Sequence, residues 1–334
     1  MQNQSVAHQQ SQPTAARLNT SLNKRTRPTE AIMGGILFFC GFLSIFTTIG
    51  VVVILGNQSL HLFNREQCVQ AGGATAEEVF CGHATIGEFL TGTEWVPDQL
   101  KFGVLPLVFS TAMTSLIAMF VAVPLGLGAA IYLSEYATPS IRKTLKPILE
   151  VLAGIPTVVY GYFALTFMSP VLRDVLGQDT VRTFNMASAG LVMGIMILPL
   201  MASMSEDALS AVPRSLREGS AGLGATKLET TIRVVVPAAI SGIIAALIIS
   251  ISRAVGETMI VAIAAGASPN FTFVPFDYAE TMTGHVVRIS GGENPYDSVG
   301  YNSIFAIAFL LFFITLALNI VGRYLVTRFR EVYE

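Results

Sequence analysis

Residues 105–133 read LPLVFSTAMTSLIAMFVAVPLGLGAAIYL, without one Asp, Glu, Lys or Arg. About 20 apolar residues suffice to cross a hydrocarbon core of roughly 30 Å as a helix, so this stretch is long enough to span. Lipid offers no partners for open backbone groups, and a run of this kind must therefore be helical. Five further runs of similar character flank it, at 31–55, 148–168, 187–204, 240–265 and 303–326. They predict an all-α fold, a polytopic transmembrane bundle of six spans. Composition agrees: of 334 residues 52% are hydrophobic, only 13% are charged, and the mean hydropathy is +0.61. Soluble domains carry about a quarter charged residues. The net charge of −2 leaves no basic excess for nucleic acid.

Cationic residues set the expected orientation. Arg17, Lys24, Arg25 and Arg27 precede the first span, Arg142, Lys143 and Lys146 follow the second, Arg214, Arg217, Lys227 and Arg233 follow the fourth, and Arg323, Arg328 and Arg330 end the sixth. Only Arg65, Lys101, Arg173, Arg182 and Arg288 fall on the opposite side. Both termini are therefore expected in the cytoplasm. Residues 1–30 are rich in Gln, Ser, Thr and Asn and read as a disordered cytoplasmic tail, with a second short tail at 327–334. The run from Ala31 exceeds the core of a secretory leader and reads as a retained anchor.

Residues 56–104 form the longest polar connection, an acidic extracytoplasmic loop with Glu66, Glu77, Glu78, Glu88, Glu94 and Asp98. Cys68 and Cys81 flank twelve residues there, a candidate disulfide on the oxidising side. No metal spacing exists among the cysteines and His8, His61, His83 and His285, which read as loop side chains. No Walker A pattern occurs, so catalysis and a resident cofactor are not expected.

The connection 207–236 contains PRSLREGSAGLGATKLETTIRVVVP. Pro213 suits a first helical turn, Gly222 and Gly224 can break the helix, and a second helix restarts near Thr226. Leu216 and Leu223 would stand exposed on this helix–turn–helix, to be covered by a partner protein or by lipid headgroups. The run Glu218-Gly219-Ser220, three residues, Gly224, nine residues, then Val234 to Pro237 resembles the EAA loop of ABC-transporter permeases. Gly219 stands where that pattern has alanine, which weakens the helix by about 1 kcal/mol. Together with TAMTSLIAMFVAVPLGLGAAIYLSEYA, LEVLAGIPTVVYGYFAL and ISRAVGETMIVAIAAG, the chain from about Thr111 to Val326 resembles the permease subunits of bacterial phosphate transporters. The extended outer loop favours the PstC branch over its PstA relative.

That resemblance implies type I ABC importer architecture, with a permease core at 105–326. It also implies a second permease subunit, a dimer of ATPase subunits, and a soluble phosphate-binding protein as partners. The EAA-like loop, with Leu216, Glu218, Gly219, Ser220, Leu223, Gly224 and Pro237, would then couple the spans to the ATPase.

Arg253 carries the transport reading. Thirteen residues beyond Ile240, it sits about 20 Å along its helix, inside the bilayer. An arginine there costs on the order of 2.5–3.5 kcal/mol and is expected to face the bundle interior with a partner. Glu257 follows four residues on, on the same helical face, so the two could form a self-neutralising pair. Alternatively the guanidinium meets a tetrahedral oxyanion bidentately, with Glu257 holding it meanwhile. The family resemblance implies a place for both in the translocation path, and Thr258 could offer a hydroxyl. Pro124, Pro156 and Pro199, with Gly126, Gly128, Gly154 and Gly161, read as kinks and close helix contacts, and 154–157 as a kink beside the pathway. Other oxyanions (sulfate, molybdate, phosphonate) and an ATP-independent channel or carrier are the competing readings.

Overall fold

The computed structural model describes residues 28–64, 67–70, 79–82, 84–292 and 298–328. The tail expectations for 1–27 and 329–334, and His83, lie outside the described residues. Two compact units are distinguished, Met1–Val51 and Val52–Glu334.

Helix α1 (Pro28–Asn64) carries exposed apolar side chains through Leu37, Phe38, Phe42 and Phe46. It runs past Gly56, where the sequence placed the start of the outer loop. Two antiparallel ladders follow, β1 (Gln67–Gln70) with β2 (Val79–Gly82) and β3 (Trp95–Val96) with β4 (Lys101–Phe102). In the second half of this loop the acidic side chains Glu88, Glu94 and Asp98 are exposed, but the aromatic ones between them are not. Phe89, Trp95 and Phe102 are buried with Leu62, Met282 and Ile307, which removes their large apolar area from water.

Helix α2 (Leu105–Ile131) ends in a π turn at Tyr132–Tyr136. Helix α3 (Pro139–Ala153) starts on Thr138, whose hydroxyl accepts from the Ile141 N–H, and α4 (Thr157–Leu176) meets it at 85°. Proline fixes φ and disfavours helix in the residue before it, so Ile155-Pro156 stops α3, and the expected span at 148–168 becomes a segment from Thr157 to Leu176 with a π turn at Ala164–Met168. Helix α5 (Met186–Ser210) begins at buried Asn185, whose Oδ1 accepts from the Ser188 N–H at 2.7 Å.

Helices α2 and α5 pack side by side and point the same way. Gly194 approaches Ala118 so closely that a Cβ there would lie 2.7 Å from its carbonyl oxygen, and Gly126 presses on Met201 near the other end. Next come α6 (Arg214–Gly222) and α7 (Lys227–Ala238), then α8 (Ile240–Val255), which meets α7 at 70°. Helix α8 runs opposite to α5: Gly242 touches Ala208, and Ser250 reaches Met201. The fifth run does not continue to Ala265. It breaks at Gly256–Thr258 and resumes as α9 (Met259–Ala264). Helices α10 (Met282–Ser290) and α11 (Val299–Arg328) complete the described chain. Among the described residues four helices are long and apolar enough to cross a membrane, and six spans result if each bent pair is one span.

Candidate functional site

Three places gather the polar side chains. The first is the helix pair α6–α7. Gly224 adopts φ +86°, the left-handed conformation that glycine tolerates, and turns the chain between them. Thr226 then caps α7 in a capping box: its hydroxyl accepts from the Glu229 N–H at 3.3 Å, and its own N–H donates to Glu229 Oε2 at 2.9 Å. That backbone N–H, followed by the Thr226 hydroxyl, holds the Glu229 carboxyl below the usual carboxylate range.

The two faces of this pair differ. Leu223 is 91% exposed, Leu228 and Ile232 are exposed on the same loop, and Glu218, Gly219 and Pro237 are open to solvent. Leu216, expected to be exposed, packs instead among the side chains around Leu209, Val212 and Met201, because α6 turns that side toward α5. Ser220 also faces inward, with its hydroxyl 2.9 Å from that of Thr230. Leu228 and Ile232 were missed in the sequence, although their spacing of four already places them on one helical face.

The second place is the break after α8. Arg253 lies level with Met196, near the middle of α5, with Nη2 3.9 Å from the Met196 sulfur. Its side chain is exposed on this chain. Among the described residues no carboxylate pairs with it. The expected Arg253–Glu257 pair is absent for a definite reason: the helix ends at Val255, so the four-residue spacing no longer holds the two on one face. Glu257 is 95% removed from solvent, at 5% exposure, and its Oε1 accepts from the Met259 N–H at 3.1 Å, at the start of α9. A carboxylate is favoured at such a position by the open N–H groups of a helix start. Thr283 fastens the same turn by donating to the Glu257 carbonyl at 2.6 Å. Thr258 is half-buried beside them, its hydroxyl donating to the Gly256 carbonyl at 3.3 Å.

The third place was not foreseen. His285 is buried, not a loop side chain, and Glu280 with it. Trp95 Nε1 donates to His285 Nε2 at 3.2 Å, which leaves the ring proton on Nδ1, facing Glu280 Oε2 at 3.1 Å. Arg288 Nε donates to the other Glu280 oxygen at 2.6 Å. Sequence distance hid this cluster, since Trp95 and His285 are 190 residues apart. It ties the loop ahead of α2 to α10. Among the described residues no group of His, Cys, Asp and Glu could hold a metal ion.

The side chains of Cys68 and Cys81 lie outside the described residues, but the backbone sets these two positions directly opposite each other across β1 and β2.

Comparison with known proteins gives a consistent set of relatives. A family model described as binding-protein-dependent transport system inner membrane component matches residues 122–331. The probable ABC transporter permease protein YqgH of Bacillus subtilis is 31% identical over 309 residues, 92% of this chain and 94% of that protein. The phosphate transport system permease protein PstC of Mesorhizobium japonicum is 31% identical, covering 83% of this chain and 86% of its own. PstC of Haemophilus influenzae is 33% identical, covering 73% and 82%. Among solved structures, a bacterial ABC transporter involved in import of the polysaccharide alginate superposes with a TM-score of 0.58 at 14% identity, over 91% of this chain and 96% of that one. The inward-facing methionine transporter MetNI gives 0.50 at 21% identity, over 69% and 95%. These last two speak for the fold, a type I importer architecture. The chain belongs to the family of binding-protein-dependent transport system inner membrane components, as a PstC-like ABC-transporter permease of the membrane and not an enzyme.

Proposed function

We propose that this chain is the permease subunit of an ATP-driven importer that carries inorganic phosphate across the bacterial plasma membrane. The observation that carries the reading is Arg253, exposed level with the middle of α5 with no carboxylate paired to it among the described residues. Facing lipid it would cost on the order of 2.5–3.5 kcal/mol, so its side of the chain must face another subunit or a watery passage. A guanidinium left unneutralised in such a passage meets a tetrahedral oxyanion with two parallel N–H donors. The PstC relatives, at 31–33% identity, direct the choice of oxyanion toward phosphate.

In this reading Arg253 contacts the ion, Thr258 offers a hydroxyl, and Glu257 holds the turn that presents both. A second permease subunit completes the passage. The exposed face of α6–α7, Glu218, Gly219, Leu223, Gly224, Leu228 and Ile232, seats on an ATPase dimer, with Pro237 at its far end. Arg142, Lys143, Lys146 and Arg323 share that end of the chain, so it lies in the cytoplasm with both termini. A loaded phosphate-binding protein docks outside, ATP-driven closure moves α6–α7, and the ion passes Arg253 before release inward. A ligand shifts such an equilibrium only by the difference between its contacts in the two states, so Arg253 must meet the ion differently in each. Outside, Cys68 and Cys81 form a disulfide that staples the β1–β2 ladder, since directly opposed strand positions lie about 4.5–5.5 Å apart at Cα, within the range a disulfide spans.

The second reading keeps the importer and changes the anion to sulfate, molybdate or phosphonate, which the same guanidinium would accept. One experiment separates them: proteoliposomes containing the complete transporter, assayed for labelled phosphate uptake with and without ATP, in competition with sulfate. Uptake that needs ATP and resists sulfate is expected. ATP-independent flux would remove the importer, and preference for sulfate would remove phosphate.

A further inference from the structure

Helix α6 is joined to the spans by more than its chain connections. Arg217, on the inward side of α6, reaches three elements at once. Its Nη2 donates to Glu135 Oε1 at 2.8 Å, and its Nε lies 3.2 and 3.3 Å from the two oxygens of the same carboxylate. Nη1 donates to the Val212 carbonyl at 2.5 Å, and Nη2 also donates to the Leu209 carbonyl at 2.8 Å. Those carbonyls belong to the last turn of α5 and the residues just after it, where helix acceptors have no partner of their own. Glu135 sits in the π turn that ends α2, and both side chains are largely enclosed, at 23% and 8% exposure.

Lys227, at the start of α7, grips the same π turn from the other side, with its ammonium 4.9 Å from the centre of the Tyr136 ring. The adjoining carbonyls are also held. Arg142 donates to the Leu133 carbonyl at 2.6 and 3.0 Å while lying 3.7 Å from Glu206 of α5. The ends of α2 and α5 are thus fixed to one another and to α6, and above that level the two helices stay in close contact as far as Gly190.

The covalent route from α6–α7 into α8, the helix that carries Arg253, is different in kind. It passes a π turn at Thr231–Val235, then Pro237, then a 70° bend at Ala239. The proline and the bend, unlike the π turn at Tyr132–Tyr136 that Arg217 and Arg142 tie down, are where a helix yields. A displacement applied to α6–α7 therefore has a stiff path into α2 and α5 and a compliant one into α8.

We propose that Arg217 and Glu135 form the strut that transmits motion of α6–α7 to the paired helices α2 and α5, so that α2 and α5 move as one lever past Arg253 while α8 hinges at Ala239. Arg217 is a positioning residue: it touches neither the transported ion nor the nucleotide, and its partners are all within this chain. The inference rests on the ATP-driven reading given above.

The test uses the complete transporter with Arg217→Gln, Glu135→Gln and the double substitution, each first checked for assembly by co-purification of all subunits. Two quantities are read. Phosphate taken up per ATP hydrolysed falls by about tenfold in each single variant, and the double variant is no worse than either single one, because the lost charge-assisted pair is the same. Hydrogen exchange at Tyr132–Tyr136 in the nucleotide-bound complex rises in the variants, since the turn loses its tie to α6. Uptake per ATP at the level of the unsubstituted transporter, or independent additive losses, or unchanged exchange at this turn overturns the strut. Failure of the ATP-driven reading shows elsewhere, as ATP-independent uptake by the unsubstituted transporter, and the exchange measurement still decides whether α6 holds the turn.

Discussion

Arg217 and Arg253 are both arginines on helices that end within a few residues, yet their surroundings are opposite. Arg217 is enclosed by one carboxylate and two backbone carbonyls, which use most of its donors. Arg253 stands exposed level with the middle of α5, against a thioether, a weak acceptor. A paired guanidinium holds a structure together, because breaking one partner leaves the other charge stranded. An unpaired one level with the middle of α5 is, on the reading proposed above, kept for something that arrives from outside the chain. The pairing, and not the residue type, separates the two roles.

The largest expected effect breaks this contrast at its open end. On the proposed reading Arg253→Gln removes the charge that meets the ion and abolishes ATP-driven phosphate uptake while leaving subunit assembly intact, since among the described residues it gives up no ion pair, only the contact with the Met196 sulfur. Arg217→Gln leaves the ion site complete and lowers uptake per ATP by about tenfold. Equal losses in both variants, or normal transport by the Arg253 variant, would erase the distinction.

Packing gives the next effect. At Gly194 a side chain would meet the Ala118 carbonyl and Val121. Gly194→Val separates α2 from α5 and costs about 1–3 kcal/mol, read as a lowered melting temperature of the detergent-solubilised complex. At Gly219, by contrast, nothing lies within 4 Å of an added Cβ, so Gly219→Ala stiffens α6 by about 1 kcal/mol without disturbing the chain. Gly219→Ala is expected to raise helix protection in exchange and to leave assembly unchanged.

Smaller still are two effects at the periphery. Cys68 and Cys81 stay unlabelled by a maleimide until a reductant is added, whereas Cys40, whose side chain faces outward within the apolar run of α1, adds at most one label of its own because a thiol in hydrocarbon stays protonated. Intact mass reads the difference, and two or more labels without reductant would remove the disulfide. Glu229 sets a pH dependence at α7. Its carboxyl titrates below the ordinary range, so the cap is complete above that range and is lost as pH falls through the lowered value. Amide exchange at Thr226–Glu229 should therefore rise only in acid, and Glu229→Gln should remove the acid dependence.

Much of this was legible in the sequence, and the boundary is instructive. Long apolar runs gave the spans, because lipid leaves the backbone no alternative to helix. The glycine turn at Gly224 and the restart at Thr226 were legible because both rest on local backbone chemistry. Where the reading failed, a tertiary contact had overridden a local pattern. The spacing of Arg253 and Glu257 promised a shared face, and the break at Gly256 dissolved it. Leu216 was expected outside and lies inside, since amphipathicity marks an apolar face without saying which neighbour covers it. His285 looked solvated among polar residues and is buried by Trp95 and Glu280. Arg217 was noted only as a positive charge. Its partner Glu135 is 82 residues away, a separation no periodicity reports.

The most direct test is a structure of the complete transporter with phosphate bound in the passage. The account requires the Arg253 guanidinium to lie within hydrogen-bonding distance of the phosphate oxygens, at the surface shared with the second permease subunit. A guanidinium turned to lipid, or paired to a carboxylate of that subunit while the ion passes elsewhere, would contradict it.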